Sequence, residues 1–420
     1  MSPKLLNVAA YSNSYLYKYY AGYSDTFVAS QINQIPTLKN DSIVLDPWNG
    51  SGTTTLVASI LGLKSYGLDI NPVMIIVAKS KMYYPEKHEA DELFRIIEMN
   101  KRKRKRKLIC ITDPLLSWFD LNTVMSIREL ELCIRCLCGY QDESYMKHFI
   151  DVDCVSLKLS FYYVALFELL REYTSRFVAS NPTWVKTATN ENERIVKSYT
   201  QICEEYLCLV CILESLLNNN IDNSKSTIQL GDSKKIQLHD SSVDCVITSP
   251  PYCTRIDYAI YTRVELALMG YNENEFDYIR RSMIGTPTIN RRTENEWYHC
   301  QIWGSVLNDI QAHDSKAAES YYYKTYCQYS YAIERSLSEI YRVLKAGATV
   351  TLVLQDSWFK DIHIDVPNLV CQSLEARMCD LISFKSERVV SNMRYINTKS
   401  KLYGNNCNHE VVLTMKKRGI

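Results

Sequence analysis

The chain has 420 residues, of which 46% are hydrophobic and 23% are charged, and its formal net charge is +1. This composition is typical of a globular protein with a large apolar core. The length predicts two domains, or one domain with a large insertion. A net charge near zero excludes a uniformly basic nucleic-acid binder, although it is compatible with a local basic cleft.

The fifteen cysteines are scattered along the chain and do not have the spacing of a small disulfide framework. Residues 1–14 lack the apolar run of a signal peptide. No run of about 18 apolar residues predicts a membrane span. We therefore expect reduced thiols in a cytoplasmic protein that has no membrane partner.

The first unit of the chain is a strand, a glycine-containing turn, a helix and a second strand. The strand at 43–46 is followed by the turn 47–52, a helix at 53–61 and a strand at 65–69. This order is typical of the first half of a doubly wound α/β nucleotide-binding fold. A further helix is expected to begin at Pro72, because proline is favoured in the first turn.

The composition changes between residues 85 and 225, where Gly139 is the only glycine. Leucine, glutamate, lysine and cysteine dominate there, and their spacing is helical at 127–137, 154–171 and 194–217. We interpret this segment as a helical insertion domain. The predicted organisation is therefore a first catalytic part at 1–84, the insertion at 85–225 and a second catalytic part at 226–420.

The α/β pattern returns after the insertion. The segment 255–270 is expected to be helical, whereas 271–324 is polar and aromatic and predicts irregular structure. The other predicted elements are strands at 227–230, 243–247, 349–354 and 411–415 and a helix at 329–344.

The turn after the first strand carries the first candidate site. Gly50 and Gly52 allow the backbone to turn tightly and to approach a ligand that a Cβ would exclude. The N-terminus of the next helix offers free N–H groups to a carboxylate. Asp69, at the end of the second strand, can accept both ribose hydroxyls of a nucleoside cofactor. The alternative interpretation is an ordinary strand-to-helix turn. The spacing in sequence between this turn and Asp69 favours the nucleoside site over that alternative.

The second candidate site is the sequence TSPPY at 248–252, directly after a predicted strand. Open α/β sheets bind their ligands at this end of the strands. Two prolines stiffen the loop and lack N–H groups, so nearby carbonyl groups are left free. The alternative interpretation is a loop that is merely stiffened by prolines.

These residue types fit the chemistry of an exocyclic base amine, whose lone pair is delocalised into the ring. The hydroxyl of Ser249 and the carbonyl of Pro250 could accept its two hydrogens and aim the lone pair at a methyl donor. Tyr252 could stack on the base, which must first leave the duplex.

Together the two segments resemble the DNA amino-methyltransferases, which methylate cytosine N4 or adenine N6. The segment DPWNGSGTT at 46–54 resembles the cofactor motif of that family, which usually has Phe where this chain has Trp48. TSPPY resembles the catalytic motif. The resemblance extends to the tyrosine-rich segment 19–27, to Gly231-Asp232-Ser233 and to the junction 342–347, and covers residues 10–85 and 226–418.

The resemblance implies a doubly wound, Rossmann-like methyltransferase sheet of seven strands, with S-adenosylmethionine as cofactor. The catalytic residues carried over are Ser249, Pro250, Pro251 and Tyr252. The cofactor-binding residues carried over are Tyr23, Asp46, Pro47, Trp48, Gly50, Ser51, Gly52, Thr53, Thr54, Asp69, Ile70, Asp232 and Ser233.

A serine directly before the two prolines is most typical of cytosine-N4 members of the family, so the resemblance favours that product over adenine N6. An RNA base or a protein amide remains open as acceptor, as does a non-catalytic component of a restriction or defence system. The implied partner is double-stranded DNA in a prokaryotic cytoplasm. A cognate restriction or defence partner and a homodimer remain open. The helical insertion precedes the strand that leads to Asp232, which is an unusual position in this family. The resemblance therefore does not identify the insertion as a target-recognition domain.

Further candidate DNA contacts follow the catalytic motif. Asp257 and Tyr258 could line the base pocket or could cap the next helix. The arginines expected near DNA are Arg280, Arg281, Arg291 and Arg292, which flank the loop 283–288. The basic run 101–107 is either a phosphate contact or a solvated segment.

The cysteine groups 133–138 and 203–211 have spacing that is partly right for a metal. Since they lie in apolar helical stretches, we interpret them as core cysteines and expect no metal site.

Overall fold

The computed structural model describes the following residues, to which all structural statements below refer: 11–17, 19, 22–86, 89–103, 112–140, 151–179, 184–217, 221–253, 257–291, 294, 297, 301–389 and 408–419.

Nine strands lie in these ranges. They are β1 (Ile43–Asp46), β2 (Lys64–Asp69), β3 (Ser226–Leu230), β4 (Val243–Thr248), β5 (Leu344–Gln355), β6 (Ser357–Phe359), β7 (Ile362–Ile364), β8 (Cys379–Val389) and β9 (Asn408–Lys417).

Thirteen α-helices occur in the same described ranges. They are α1 (Asp25–Asn33), α2 (Thr53–Ile60), α3 (Pro72–Ser80), α4 (Glu89–Lys103), α5 (Leu121–Leu137), α6 (Leu157–Thr174), α7 (Tyr199–Glu214), α8 (Tyr258–Tyr261), α9 (Arg263–Leu268), α10 (Glu273–Ser282), α11 (Gly304–Ala312), α12 (Lys324–Val343) and α13 (Val366–Glu375). Within this part of the chain, no helix combines the length and the apolar character that crossing a membrane requires.

Seven strands form one sheet in the order β3-β2-β1-β4-β5-β9-β8, and β6 and β7 form a separate hairpin. The first five strands of this order are parallel, and β9 runs antiparallel to both β5 and β8. This is the predicted doubly wound, mostly parallel, Rossmann-like sheet of seven strands. Its parallel strands bring the loops after β1, β2, β3 and β4 to one edge, where such sheets bind ligands.

Helices cover both faces of the sheet because consecutive residues of the central strands are apolar and point to opposite faces. Val44 packs with α1 and α2 on one face. Leu45, its neighbour in β1, faces the opposite side and packs with α12 and α13. The helices α4–α7 share a continuous apolar core with α3 and with α8–α10. The segment 89–217 therefore packs against elements on both sides of it in sequence.

The segment 271–324, predicted to be irregular, contains α10 and α11, so that prediction was wrong. Asn272 and Glu275 form a capping box, which stabilises the start of α10 although the helix is highly polar. The predicted helix at 255–270 is two short helices, α8 and α9. The hairpin β6–β7 and the edge strand β8 were missed. In β8 apolar and polar residues do not alternate, so the sequence lacks the usual strand signal.

Candidate functional site

A cleft lies at the carboxyl edge of the parallel strands, with about 920 Å³ of space, part of it open to solvent. Its lining combines aromatic and apolar side chains with a few polar groups, which is typical of a small-molecule site. The predicted catalytic residues all line it, as do most of the predicted cofactor residues. These lining residues are Tyr23, Pro47, Trp48, Gly50, Ser51, Thr53, Asp69, Ile70, Asp232, Ser233, Ser249, Pro250, Pro251 and Tyr252.

The loop between β1 and α2 is shaped by two glycines with positive φ. Gly50 has φ +47° and Gly52 has φ +80°. A Cβ at Gly52 would lie 2.6 Å from the Cβ of Ala78 in α3, so only glycine allows this approach. The loop is fixed to β2 as well, since the Asn49 N–H donates to the Leu68 carbonyl at 2.8 Å.

Asp69, at the end of β2, is held by two backbone groups. Its carboxylate accepts from the N–H of Gly50 and from the N–H of Asn71, each at 2.8 Å. Burial raises the pKa of this carboxyl to about 6, although the two backbone bonds favour the ionised form. A carboxylate has about four lone-pair positions, so acceptor capacity remains for the hydroxyls of a ligand in the cleft.

Asp46 lies behind the cleft in a buried polar cluster. Its carboxylate accepts from the Tyr23 hydroxyl at 2.8 Å, the Trp48 N–H at 3.1 Å and the Thr248 hydroxyl at 2.5 Å. Burial raises the pKa of Asp46, while these bonds oppose the rise. Thr54 also contacts the Tyr23 hydroxyl. Asp46, Gly52 and Thr54 are therefore placed to support the loop from behind, and they do not line the cleft.

A nucleoside cofactor with a charged amino-acid tail fits these residues. Asp69 and Asp232 supply carboxylates on one side of the cleft. The first turn of α2 has no side-chain cap, so its N–H groups are available to a carboxylate. The side-chain N–H groups of Trp48 and Asn49 have no hydrogen-bond partner among the described residues. Buried donors of this kind favour an acceptor in the cleft.

The catalytic loop begins where β4 ends. The Ser249 hydroxyl donates to the Val353 carbonyl of β5 at 3.0 Å, so its hydrogen points into the sheet. The Pro251 carbonyl accepts from the Tyr329 hydroxyl at 3.0 Å, and the Tyr252 N–H donates to the Tyr258 hydroxyl at 3.3 Å. The loop is thus fixed from β5, α12 and α8. The oxygen of Ser249 keeps its acceptor capacity towards the cleft.

Comparisons with known proteins find DNA methyltransferases among the similar sequences. A family model described as DNA methylase matches residues 35–80, which contain β1, the glycine loop and Asp69. The chain is 26% identical over 337 residues to the Type II methyltransferase M.BsoBI of Geobacillus stearothermophilus, covering 73% of this chain and 64% of that protein. It is 24% identical over 402 residues to the Type II methyltransferase M.MvaI of Kocuria varians, covering 88% and 82% respectively.

The chain is thus similar in sequence to DNA amino-methyltransferases of the N4/N6 type. The cofactor of this family is S-adenosylmethionine. A solved S-adenosylmethionine-dependent methyltransferase from Methanosarcina mazei aligns over 92% of this chain and 97% of its own, with 10% identity and a TM-score of 0.32.

The cleft has a second wall, which the sequence located only approximately. The loop 283–288 was expected near the catalytic edge, and Ser282, Met283 and Ile284 line the cleft. Tyr258 lines it too. Other lining residues that had not been proposed as site residues are Tyr19, Gly22, Asn49, Asn71, Met74 and Gly231.

Four of the other predicted substrate residues lie outside the cleft, namely Asp257, Arg280, Arg281 and Arg291. Arg280 forms an ion pair with the buried Asp257 at 2.7 Å, and Asp257 caps α8. Arg281 pairs with Asp277 at 2.6 Å, and its side chain is 41% exposed. Arg291 is exposed. Arg292 lies outside the described residues, as do residues 104–107 of the basic run.

Cys133 and Cys203 are buried, as predicted, whereas Cys136, Cys208 and Cys211 are exposed, so the core interpretation was wrong for those three. Among the residues that the structure describes, no group of three or more histidine, cysteine or acidic side chains could hold a metal ion.

Proposed function

We propose that this methyltransferase transfers the methyl group of S-adenosylmethionine to the N4 amine of cytosine, in a base that has left the double helix of DNA. The observation that carries the proposal is the hydrogen bond from the Ser249 hydroxyl to the Val353 carbonyl at 3.0 Å. A hydroxyl that donates into the sheet faces the cleft as an acceptor, which is what an amine hydrogen requires.

The chain's own residues position the acceptor nitrogen. Ser249 and the carbonyl of Pro250 accept the two amine hydrogens, which directs the nitrogen lone pair out of the ring plane. Tyr252 stacks on the base. The cofactor, when bound, supplies an electrophilic methyl group on a sulfonium centre. The fixed acceptors lower the barrier because they need no reorganisation during the reaction.

The cofactor is held, in this proposal, by the residues around the β1–α2 loop. Asp69 accepts the ribose hydroxyls, Asp232 approaches the adenine ring, and the first turn of α2 faces the carboxylate of the methionine part. Asp46 and Tyr23 hold the loop in place from behind through their 2.8 Å hydrogen bond.

Cytosine is favoured over adenine because a serine precedes the two prolines. Serine is a weak base, so it accepts a hydrogen bond without removing a proton before methyl transfer. Deprotonation of the amine then follows the transfer. Adenine N6 is delocalised in the same way, and the same two acceptors would serve it. Adenine is therefore the alternative product in the experiment below.

The DNA contacts in this proposal lie beside α10. Arg281 and Arg291 are exposed and are the candidates for phosphate contact. We further propose that residues 85–225 form an inserted domain between two catalytic parts, 1–84 and 226–420. We also propose that the protein acts in the cytoplasm, beside a companion restriction protein and as a homodimer.

The proposal is tested by incubating the purified protein with S-adenosylmethionine that carries a labelled methyl group and with DNA, RNA or protein as acceptor. We expect the label to enter DNA alone. After digestion of the DNA to nucleosides, it should be found in N4-methyl-2′-deoxycytidine. Label in N6-methyladenine would keep the mechanism and overturn the cytosine assignment. Label in RNA or protein alone would overturn DNA as substrate. Cofactor binding without any transfer would indicate a non-catalytic component.

A further inference from the structure

One connection between the helical segment and the wall of the cleft runs through an arginine of α6. The Arg171 guanidinium lies between two tyrosine rings, 4.4 Å from the centre of Tyr17 and 4.3 Å from the centre of Tyr261. It donates to the Tyr261 hydroxyl at 3.0 Å and to the Tyr261 carbonyl at 3.3 Å. It also pairs with Glu265 in α9. Arg171 therefore fixes both the ring and the backbone of Tyr261.

The N-terminal segment is tied to the same cluster. The Tyr17 hydroxyl donates to the Glu265 carboxylate at 2.9 Å. The side chain of Glu265 is 1% exposed and that of Arg171 is 19% exposed. An ion pair so well removed from water is held firmly, because breaking it would leave a buried charge without its partner.

The contact continues from Tyr261 to the wall of the cleft. Tyr19 lines the cleft, and its ring meets that of Tyr261 edge to face with centres 5.9 Å apart. On its other side, the Tyr19 ring covers the glycine loop: a Cβ at Gly50 would lie 3.2 Å from the Tyr19 Cε1 atom. Tyr19 thus lies between Tyr261 and the loop that faces the cofactor.

The charged and polar neighbours of Tyr19 place it on the cofactor side of the cleft. Burial, followed by the nearby Tyr258 and Asp69, raises the pKa of the Tyr19 hydroxyl well above its usual value. Asp69 is the carboxylate proposed to bind ribose. An aromatic ring beside it provides a flat apolar surface for a nucleoside.

We propose that Arg171 is a positioning residue for the cofactor: through Tyr261 it holds Tyr19 against the glycine loop and so sets the affinity for S-adenosylmethionine. This inference rests on the proposed function in so far as the cleft binds that cofactor. It gives the helical segment a task that requires no contact with DNA. Without its contact with Tyr261, the Tyr19 side chain would sample other rotamers. Binding of the cofactor would then have to order the wall of the cleft, which costs free energy of binding.

The test measures cofactor binding directly, by calorimetry on the full chain without DNA. Replacing Arg171 alone would leave Glu265 buried and unpaired, so the variant is Arg171→Met combined with Glu265→Gln, which removes both charges. A second variant, Tyr261→Leu, removes the ring that links Arg171 to Tyr19 and retains the ion pair between Arg171 and Glu265. The matched control is Tyr173→Phe, which removes a hydroxyl of the same helix that contacts Glu205 in α7.

We expect the charge-free variant and Tyr261→Leu each to bind S-adenosylmethionine about tenfold more weakly. Tyr173→Phe should bind as the wild type does. Adding Tyr19→Leu to either variant should cause little further loss, because the two changes act on one path. In turnover, the KM for the cofactor should rise while kcat stays near the wild-type value.

Wild-type affinity in a folded charge-free variant and in Tyr261→Leu would overturn the proposal. If the charge-free variant does not fold, Tyr261→Leu decides alone. An equal loss in Tyr173→Phe would also overturn it, because the effect would then be a general weakening of α6. A wild type that binds the cofactor but methylates no DNA would refute the proposed function and leave the role of Arg171 to be judged from the binding data.

Discussion

The α-carbon of Gly285 lies directly against the carbonyl group of Tyr252. A Cβ at Gly285 would lie 2.4 Å from the Tyr252 oxygen, and the residue has φ +79°. Both facts require glycine at this position. The segment that lines the cleft at 282–284 is thereby joined to the loop 249–252, so the shape of the cleft depends on this contact.

Gly285→Ala is expected to reduce methylation of DNA by about 10²-fold, because a displacement of the catalytic loop by about 1 Å misaligns the acceptor amine. Cofactor affinity should change little. The matched control is Gly139→Ala, where φ is also +79° but a Cβ would meet no atom within 4 Å. Both variants should lose about 1–2 kcal/mol of stability from the left-handed backbone conformation. Gly285→Ala should lose more than that because of the clash with Tyr252, and it alone should lose activity. Equal activities in the two variants would contradict the account.

The affinity for S-adenosylmethionine is expected to fall as the pH is lowered through about 6, the pKa to which burial raises the Asp69 carboxyl. In the proposed cofactor site the ionised form, present above this pH, accepts the ribose hydroxyls, and protonation below it removes acceptor capacity. Calorimetry between pH 7.5 and 5 should give up to about a tenfold loss per pH unit below the pKa. Asp69→Asn should bind weakly with a flat profile over this interval. A pH-dependent loss that persists in Asp69→Asn would assign the titration to another group.

Tyr23→Phe is expected to lower the free energy of unfolding by about 1–3 kcal/mol, since the buried Asp46 carboxylate loses one of its donors. Urea unfolding monitored by circular dichroism measures this. Tyr278→Phe is the control, because the Tyr278 side chain is largely exposed and should be replaceable without loss. Equal stabilities for the two variants would mean that the 2.8 Å bond from Tyr23 to Asp46 contributes nothing to the fold.

The two neighbouring arginines of α10 are expected to behave differently on DNA. Arg281→Ala should weaken DNA binding uniformly and reduce the slope of log K against log salt by about 1, as the loss of one phosphate contact does. Arg280→Ala should instead lower stability, because it leaves the buried Asp257 without its 2.7 Å ion pair. Binding titrations between about 50 and 200 mM salt measure this slope, which should differ from the wild-type slope by about one unit in Arg281→Ala and should be unchanged in Arg280→Ala. An unchanged slope in Arg281→Ala would exclude it as a phosphate contact.

Much of the site was predictable because it is local in sequence. Gly50, Gly52 and Asp69 lie within twenty residues of each other, and the order of strand, turn and helix fixes their relative position. Ser249 could be placed at the same edge because parallel strands end there together. The mostly parallel sheet of seven strands was predicted through the resemblance of the same motifs.

The other wall of the cleft could not be predicted, because it depends on contacts between distant segments. Tyr19 becomes a lining residue only through its packing on Tyr261 and Gly50. The polar composition of 271–324 hid α10, whose start depends on the capping box between Asn272 and Glu275. Similarly, the pairing of Arg280 with Asp257 turns a residue expected near DNA into one that supports α8.

The most direct test of the central claim is mass spectrometry of nucleosides from DNA that has been incubated with S-adenosylmethionine and either the wild type or Ser249→Ala. A Ser215→Ala variant, changed at an exposed hydroxyl, is the control. The account predicts N4-methylated deoxycytidine with the wild type and the control, and a loss of about 10²-fold with Ser249→Ala, as for removal of one preorganised hydrogen-bonding group. Undiminished methylation by Ser249→Ala would contradict the account.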